Sequence, residues 1–134
     1  MTAGGRVLLV ADDKFLRGAC EASLRQRGFL VVTATDGEEG LRLAREAPHP
    51  DVVLLDLVMP KMSGIEVLRA LKGDGETRVI PVVILSNSAR DEDRGEAAYL
   101  GAVGYYVKAN LSLKELATQV SRLITAHAPS AGRP

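Results

Sequence analysis

The stretch Val52-Val53-Leu54-Leu55-Asp56 consists of four aliphatic residues followed by a carboxylate. Two other runs are of the same kind, at residues 7–11 and 82–85, and each is rich in Val, Leu and Ile. Strands that helices cover on both faces have such continuous apolar sequences, whereas a strand with one wet face alternates. We therefore predict a buried parallel sheet built around these three runs.

Two shorter or more polar runs, at residues 29–34 and 104–107, are typical of strands at the edges of a sheet. Segments of helical period separate the five runs, which favours repeated βαβ units. Capping boxes, Ser63-Gly64-Ile65-Glu66 and Ser112-Leu113-Lys114-Glu115, predict where two of the helices begin. The segment 91–100 is the weakest predicted helix, because Gly95 interrupts it.

Length and composition limit the class of protein. The 134 residues suit one domain, and 46% hydrophobic with 25% charged residues is ordinary for a globular chain. Seventeen basic and seventeen acidic residues cancel, so we expect no direct binding to nucleic acid or membrane. Cys20 is the only cysteine, and neither a zinc motif nor a signal peptide is recognisable. We expect a cytoplasmic protein.

Polar residues stand where the apolar runs end. Asp12-Asp13 follows the first run, Asp56 the third, Ser86 the fourth and Lys108 the fifth. Open parallel sheets gather functional groups at the carboxyl ends of their strands. Three carboxylates, a hydroxyl and an amine would then meet in one cleft, and together they could hold a divalent cation and a phosphoryl group.

Each of these residues also has a plainer interpretation. Aspartate is a favoured helix N-cap, so Asp12 or Asp13 could simply begin the first helix. Ser86 could be a turn residue, and Lys108 could be a solvated lysine at a strand end. The combination at successive strand ends favours the functional interpretation.

In this combination the chain resembles the receiver domain of two-component response regulators, of the chemotaxis-receiver type. The resemblance rests on Asp12-Asp13, on Asp56-Leu57-Val58-Met59-Pro60 followed by Ser63-Gly64, on Ser86, and on Tyr105-Tyr106-Val107-Lys108. It covers residues 6–127 and leaves 128–134 as a flexible C-terminal tail. It implies a doubly wound α/β fold of the flavodoxin-like kind, with five parallel strands in the order 2-1-3-4-5 and helices on both faces.

The resemblance also implies a role for each site residue. Asp56 would be the phosphoacceptor, and Lys108 and Ser86 would contact the phosphoryl group. Asp12, Asp13, Asp56 and the backbone carbonyl of Val58 would bind Mg²⁺, which prefers oxygen ligands. Ser86 and Tyr105 would form the switch, although Tyr105 and Tyr106 alternate faces and either could serve in packing alone.

The implied partners are a sensor histidine kinase or phosphotransfer protein and a downstream protein target. The target would bind the surface of the fourth helix, fifth strand and fifth helix, and a homodimer is possible. The domain would not be an enzyme in the ordinary sense, because its self-catalysed phosphorylation and dephosphorylation serve signalling. The rival interpretations are a phosphorylation-independent docking or dimerisation module and a phosphohydrolase with an aspartyl nucleophile.

Two residues depart from the family's pattern. Ala109 follows Lys108, where family members usually have proline in a cis peptide. A cis bond before a non-proline residue costs about 2.5–4 kcal/mol, so we expect either a strained bond or a rearranged loop. Val58 is apolar and cannot steer an attacking water through its side chain, which predicts slow hydrolysis of the phosphoryl group.

Overall fold

The computed structural model of this chain describes residues 5–127. Strands and helices alternate along the whole of this range, and the order of the elements confirms the predicted βαβ units. The five strands are β1 (Arg6–Val10), β2 (Leu30–Ala34), β3 (Val52–Asp56), β4 (Val82–Ser86) and β5 (Gly104–Val107). The five α-helices are α1 (Lys14–Gln26), α2 (Gly37–Arg45), α3 (Gly64–Gly73), α4 (Asp91–Tyr99) and α5 (Leu113–His127). The tail predicted at 128–134 lies outside the described residues.

All strand pairs are parallel, and the strand order is β2-β1-β3-β4-β5, as predicted. The three central strands are buried along almost their entire length, because successive side chains point to opposite, helix-covered faces. Leu9, Leu54 and Leu85 belong to the core on the side of α1 and α5. Leu8 and Leu55 belong to the core on the other side, which also includes residues of α2, α3 and α4. This two-sided burial explains the continuous apolar runs.

Local sequence accounts for several helix ends. Ser63 and Glu66 form the predicted capping box at the start of α3. At α5 the Ser112 hydroxyl accepts a hydrogen bond from the Glu115 backbone N–H. Asp36 lies just outside α2 and caps it by accepting a hydrogen bond from the Glu39 backbone N–H. These caps satisfy backbone donors that a helix leaves unpaired at its N-terminus.

Cys20 lies on the inner face of α1 and is fully buried. Its burial raises the pKa of the thiol to about 11, so the thiolate is scarce at neutral pH. Cys20 is therefore a residue of the core on the side of α1 and α5. Within residues 5–127, no helix has both the length and the apolar composition needed to cross a bilayer.

Helix α4 is the least embedded of the helices that cover the sheet. Ala97 is its only buried residue, in a helix of nine. A Cβ added at Gly95, in the middle of this helix, would meet no heavy atom within 4 Å. The weakness predicted for segment 91–100 therefore coincides with sparse packing.

Gly95→Ala should raise the free energy of unfolding by about 0.5–1 kcal/mol, because alanine costs less conformational entropy in a helix. Gly18→Ala in α1 is the matched control, since its added Cβ also meets open space. Gly40→Ala should instead destabilise the fold, because its Cβ would lie 2.7 Å from Val10 Cγ1. Urea denaturation of the three variants measures these changes. A loss of stability in Gly95→Ala would contradict the sparse packing of α4 around this position.

Candidate functional site

Asp56 is the last residue of β3 and only 2% exposed. Its Oδ1 accepts a hydrogen bond from the Val58 backbone N–H at 3.1 Å, and its Oδ2 accepts one from Lys108 Nζ at 2.6 Å. Gly64 leaves room for this strand end, since a Cβ there would lie 2.3 Å from the Asp56 backbone oxygen. A buried carboxylate is therefore held in place by one amide and one ammonium group.

Lys108 follows β5 and begins a short 3₁₀ helix, Lys108–Asn110. The Lys108 carbonyl accepts a hydrogen bond from the Leu111 N–H, which closes the turn. The Lys108–Ala109 peptide is trans; in the range 5–127 the single cis bond lies elsewhere, before Pro48. The sequence left two alternatives for this loop, a strained cis bond or a rearranged loop, and the rearranged loop is observed. It still brings the Lys108 ammonium to Asp56.

Ser86 ends β4 and is buried, with 4% of its surface exposed. The strand register pairs Ser86 with Val107, so Lys108 comes next along the neighbouring strand. The Ser86 hydroxyl oxygen accepts a hydrogen bond from the Ser88 N–H at 3.0 Å. Its own proton remains able to donate to a group placed above the strand ends.

Asp12 and Asp13 follow β1, whose register with β3 pairs Val10 with Leu55. The acidic pair therefore lies at the strand end adjacent to Asp56, as predicted. Asp13 caps α1: its Oδ1 accepts hydrogen bonds from the backbone N–H groups of Phe15 and Leu16. The capping alternative is thus observed for Asp13.

The carboxylates of Asp12, Asp13 and Asp56 have the chemistry of magnesium ligands, but they do not lie close enough together to form a metal site. Carboxylate and carbonyl oxygens are the ligands that Mg²⁺ prefers. In the described part of the chain, however, no three His, Cys, Asp or Glu side chains cluster closely enough to hold a metal. Both cap hydrogen bonds of Asp13 are accepted by Oδ1, so its Oδ2 could bind a cation without loss of the cap.

The two adjacent tyrosines of β5 face opposite sides of the sheet. Tyr106 packs against the core beneath α1 and α5, whereas Tyr105 packs against the core on the α4 side. The Tyr105 hydroxyl donates a hydrogen bond to the Ser88 carbonyl at 2.9 Å. The guanidinium of Arg94 lies 4.8 Å from the centre of the Tyr105 ring. Tyr105 is therefore the tyrosine that connects β5 to α4.

Three residues at this edge of the sheet were not identified from the sequence. Arg17 Nη1 donates to the backbone carbonyls of Ala11 and Asp12, at 2.8 and 3.1 Å. Ser88 contacts both Ser86 and Tyr105, and Arg94 covers the Tyr105 ring. The only sequence signal for Ser88 is a hydroxyl two positions after Ser86, while the contact of Arg94 depends on how α4 approaches β5.

Comparison with known proteins agrees with this arrangement. The family described as response regulator receiver domain matches residues 7–121. The transcriptional regulatory protein PrrA of Mycobacterium bovis is 40% identical over 119 residues, which is 89% of this chain and 49% of that protein. The phosphate regulon transcriptional regulatory protein PhoB of Escherichia coli is 36% identical over 126 residues, 94% of this chain and 54% of that protein. The chain spans about half the length of these curated relatives.

Solved structures match over nearly their whole length. The receiver domain of the Francisella response regulator 1452 superposes with a TM-score of 0.84 at 30% identity, covering 91% of this chain and 98% of that one. The chemotaxis protein CheY4 of Vibrio cholerae gives a TM-score of 0.80 at 30% identity, with coverages of 92% and 99%. The strand order, the residues at the strand ends and the family match lead to one conclusion: this chain belongs to the response regulator receiver domain family.

Proposed function

We propose that this chain is a phosphorylation-dependent signalling domain in which Asp56 accepts a phosphoryl group. The donor would be a phosphohistidine on a sensor histidine kinase or on a phosphotransfer protein. The observation that carries the proposal is the buried Asp56 carboxylate at a strand end, with Lys108 Nζ hydrogen bonded to it. Membership of the receiver family supports it.

The transfer forms a bond between a carboxylate oxygen of Asp56 and phosphorus while the phosphorus–nitrogen bond of phosphohistidine breaks. The nitrogen keeps the electron pair, and the product on Asp56 is a mixed anhydride. Little covalent chemistry is left for other residues, so their task is to position and neutralise the phosphoryl oxygens. Lys108 would pair with one oxygen, and the Ser86 hydroxyl would donate a hydrogen bond to another.

We propose Mg²⁺ as the cofactor, held by Asp12, Asp13, Asp56 and the Val58 carbonyl. When bound, the ion would offset the repulsion between the carboxylates and the incoming phosphoryl group. Arg17 donates a hydrogen bond to the Asp12 carbonyl, and Asp13 would offer Oδ2 to the cation while Oδ1 keeps the helix cap.

The proposed output surface comprises α4, β5 and α5. Sparse packing of α4 supports this choice, since such a helix can change position at low cost. Tyr99 on α4 is 90% exposed and would be accessible to a downstream protein or to a second copy of the chain. The relatives named as transcriptional regulators are about twice as long as the matched segment, and we assign no DNA-binding role to this chain.

The rival docking module would use the same fold without phosphorylation. The absence of the family's proline after Lys108 favours this module, yet Lys108 still contacts Asp56. In either case the proposed biological activity is binding; in the phosphorylation-dependent domain, self-catalysed phosphorylation and dephosphorylation are ancillary to it. Phosphorylation of Asp56 is what separates the two functions.

Incubation with acetyl phosphate and Mg²⁺ should add one phosphoryl group to the intact mass of the domain. Asp56→Asn should abolish the adduct, because an amide is not a nucleophile of this kind. Asp91→Asn, which changes an exposed carboxylate of α4, should leave it unchanged. Chelation of the metal should suppress the reaction. A wild-type protein that takes up no phosphoryl group at any Mg²⁺ concentration would favour the docking module.

Lys108→Met should destabilise the domain by about 3 kcal/mol, because it leaves the buried Asp56 carboxylate without its cation. The double variant Asp56→Asn/Lys108→Met should regain part of this loss, since the uncompensated charge is gone. Lys61→Met is the control: Lys61 lies 3.7 Å from Asp36, but its side chain is 60% exposed, and an ion pair with a solvated ammonium contributes little. Equal losses for Lys108→Met and Lys61→Met in urea denaturation would contradict the buried pair.

Val58→Asn should accelerate hydrolysis of the phosphorylated domain by about tenfold, which corresponds to about 1.4 kcal/mol of barrier. Val58 is 71% exposed beside the phosphoacceptor, and an amide there could orient the attacking water. Val79→Asn is the control, because Val79 is equally exposed at 72% elsewhere in the fold. The decay of the phosphorylated mass measures the rate; loss of the group from the wild type within seconds would contradict slow hydrolysis.

A further inference from the structure

Helix α4 begins without a side-chain cap of the usual kind. Its N-cap position is Arg90, which makes no capping side-chain hydrogen bond. Instead, the hydroxyl of Ser88 in the preceding loop donates a hydrogen bond to the carboxylate of Asp93, in the first turn. Arg90 Nε lies 3.6 Å from the same Asp93 Oδ2. The first turn of α4 is thus attached to the loop after β4 through Asp93.

Ser88 also contacts both residues of the proposed switch. Its N–H donates to Ser86 Oγ at 3.0 Å, and its carbonyl accepts from the Tyr105 hydroxyl at 2.9 Å. The N–H, carbonyl and hydroxyl of Ser88 therefore contact β4, β5 and α4 respectively, and the hydroxyl oxygen also accepts a hydrogen bond from the Arg90 N–H at 3.1 Å, just before α4. Ser88 therefore links Ser86 to both Tyr105 and Asp93 by hydrogen bonds.

Few other contacts fix the position of α4. Ala97 is its only buried residue, and Arg94 covers the Tyr105 ring from the turn that contains Asp93. A hydrogen bond to an ionised acceptor is stronger than one between neutral groups, and Asp93 is only partly exposed. The Ser88–Asp93 bond is therefore a principal attachment of the N-terminal half of the helix.

We propose that Ser88 and Asp93 form a positioning latch that carries α4 with the loop when Ser86 turns toward a phosphoryl group. The inference rests on the proposed function for the role of Ser86, and it assigns new roles to Ser88 and Asp93. With the latch, displacement of the loop moves the first turn of α4. Without the latch, Ser86 can still contact the phosphoryl group, but the displacement of the loop no longer moves α4.

The latch can first be tested in the unphosphorylated domain by amide hydrogen exchange. Ser88→Ala and Asp93→Ala should each speed exchange in residues 94–99 by roughly three- to tenfold, as expected for loss of one partly solvent-exposed hydrogen bond. Asp91→Ala removes a charge of the same sign from the same turn and is the control for the helix dipole. Asp93→Asn keeps a carbonyl acceptor without the charge and should restore part of the protection. Exchange no faster than in Asp91→Ala would overturn the latch.

The second arm uses acetyl phosphate with Mg²⁺ and follows backbone amide resonances. In Ser88→Ala and Asp93→Ala, phosphorylation should still shift resonances beside Asp56, but the shifts in residues 94–99 should fall below half of those in Asp91→Ala. Undiminished shifts in α4 would overturn the transmitting role. A wild-type domain that takes up no phosphoryl group would overturn the proposed function and with it the transmitting role, whereas the exchange experiment still decides whether the attachment exists.

Discussion

The ion pair between Asp56 and Lys108 is the constraint on which the arrangement of the site depends. A carboxylate that is 2% exposed is costly unless a cation and hydrogen bonds compensate it. Parallel pairing of β3, β4 and β5 supplies the compensation, because it brings the residues after each strand to one edge of the sheet. The aliphatic runs therefore form the sheet, and the sheet in turn brings together the polar residues at the ends of those runs.

The central strands, which carry the proposed phosphorylation site, are closely packed. Helix α4, which belongs to the proposed output surface, covers the sheet only weakly. Helices bury both faces of β1, β3 and β4, whereas α4 contributes a single buried residue to the core. A local change of charge at Asp56 cannot deform the central strands cheaply, because they are close-packed. It can shift a helix attached by a few polar contacts, and Ser88 lies between the two regions.

The sequence predicted the strands, their order and the residues at the strand ends, because long apolar runs and the resemblance to receivers are strong signals. It could not decide the state of Asp13, since a helix cap and a metal ligand require the same carboxylate at the same position. It could not decide the conformation of the Lys108–Ala109 peptide, because no local sequence rule distinguishes a strained cis bond from a 3₁₀ turn. Ser88 and Arg94 were missed because their contacts depend on how distant elements pack together; Ser88 and Tyr105 are 17 positions apart in the sequence.

The most direct measurement would locate the phosphoryl group on the chain itself. Borohydride reduces an aspartyl phosphate to homoserine, and peptide mass spectrometry then identifies the modified position. The account predicts homoserine at position 56 and unmodified aspartate at positions 12 and 13. Homoserine at Asp12 or Asp13 with none at Asp56 would contradict it, because an exposed carboxylate outside the buried ion pair would then be the acceptor.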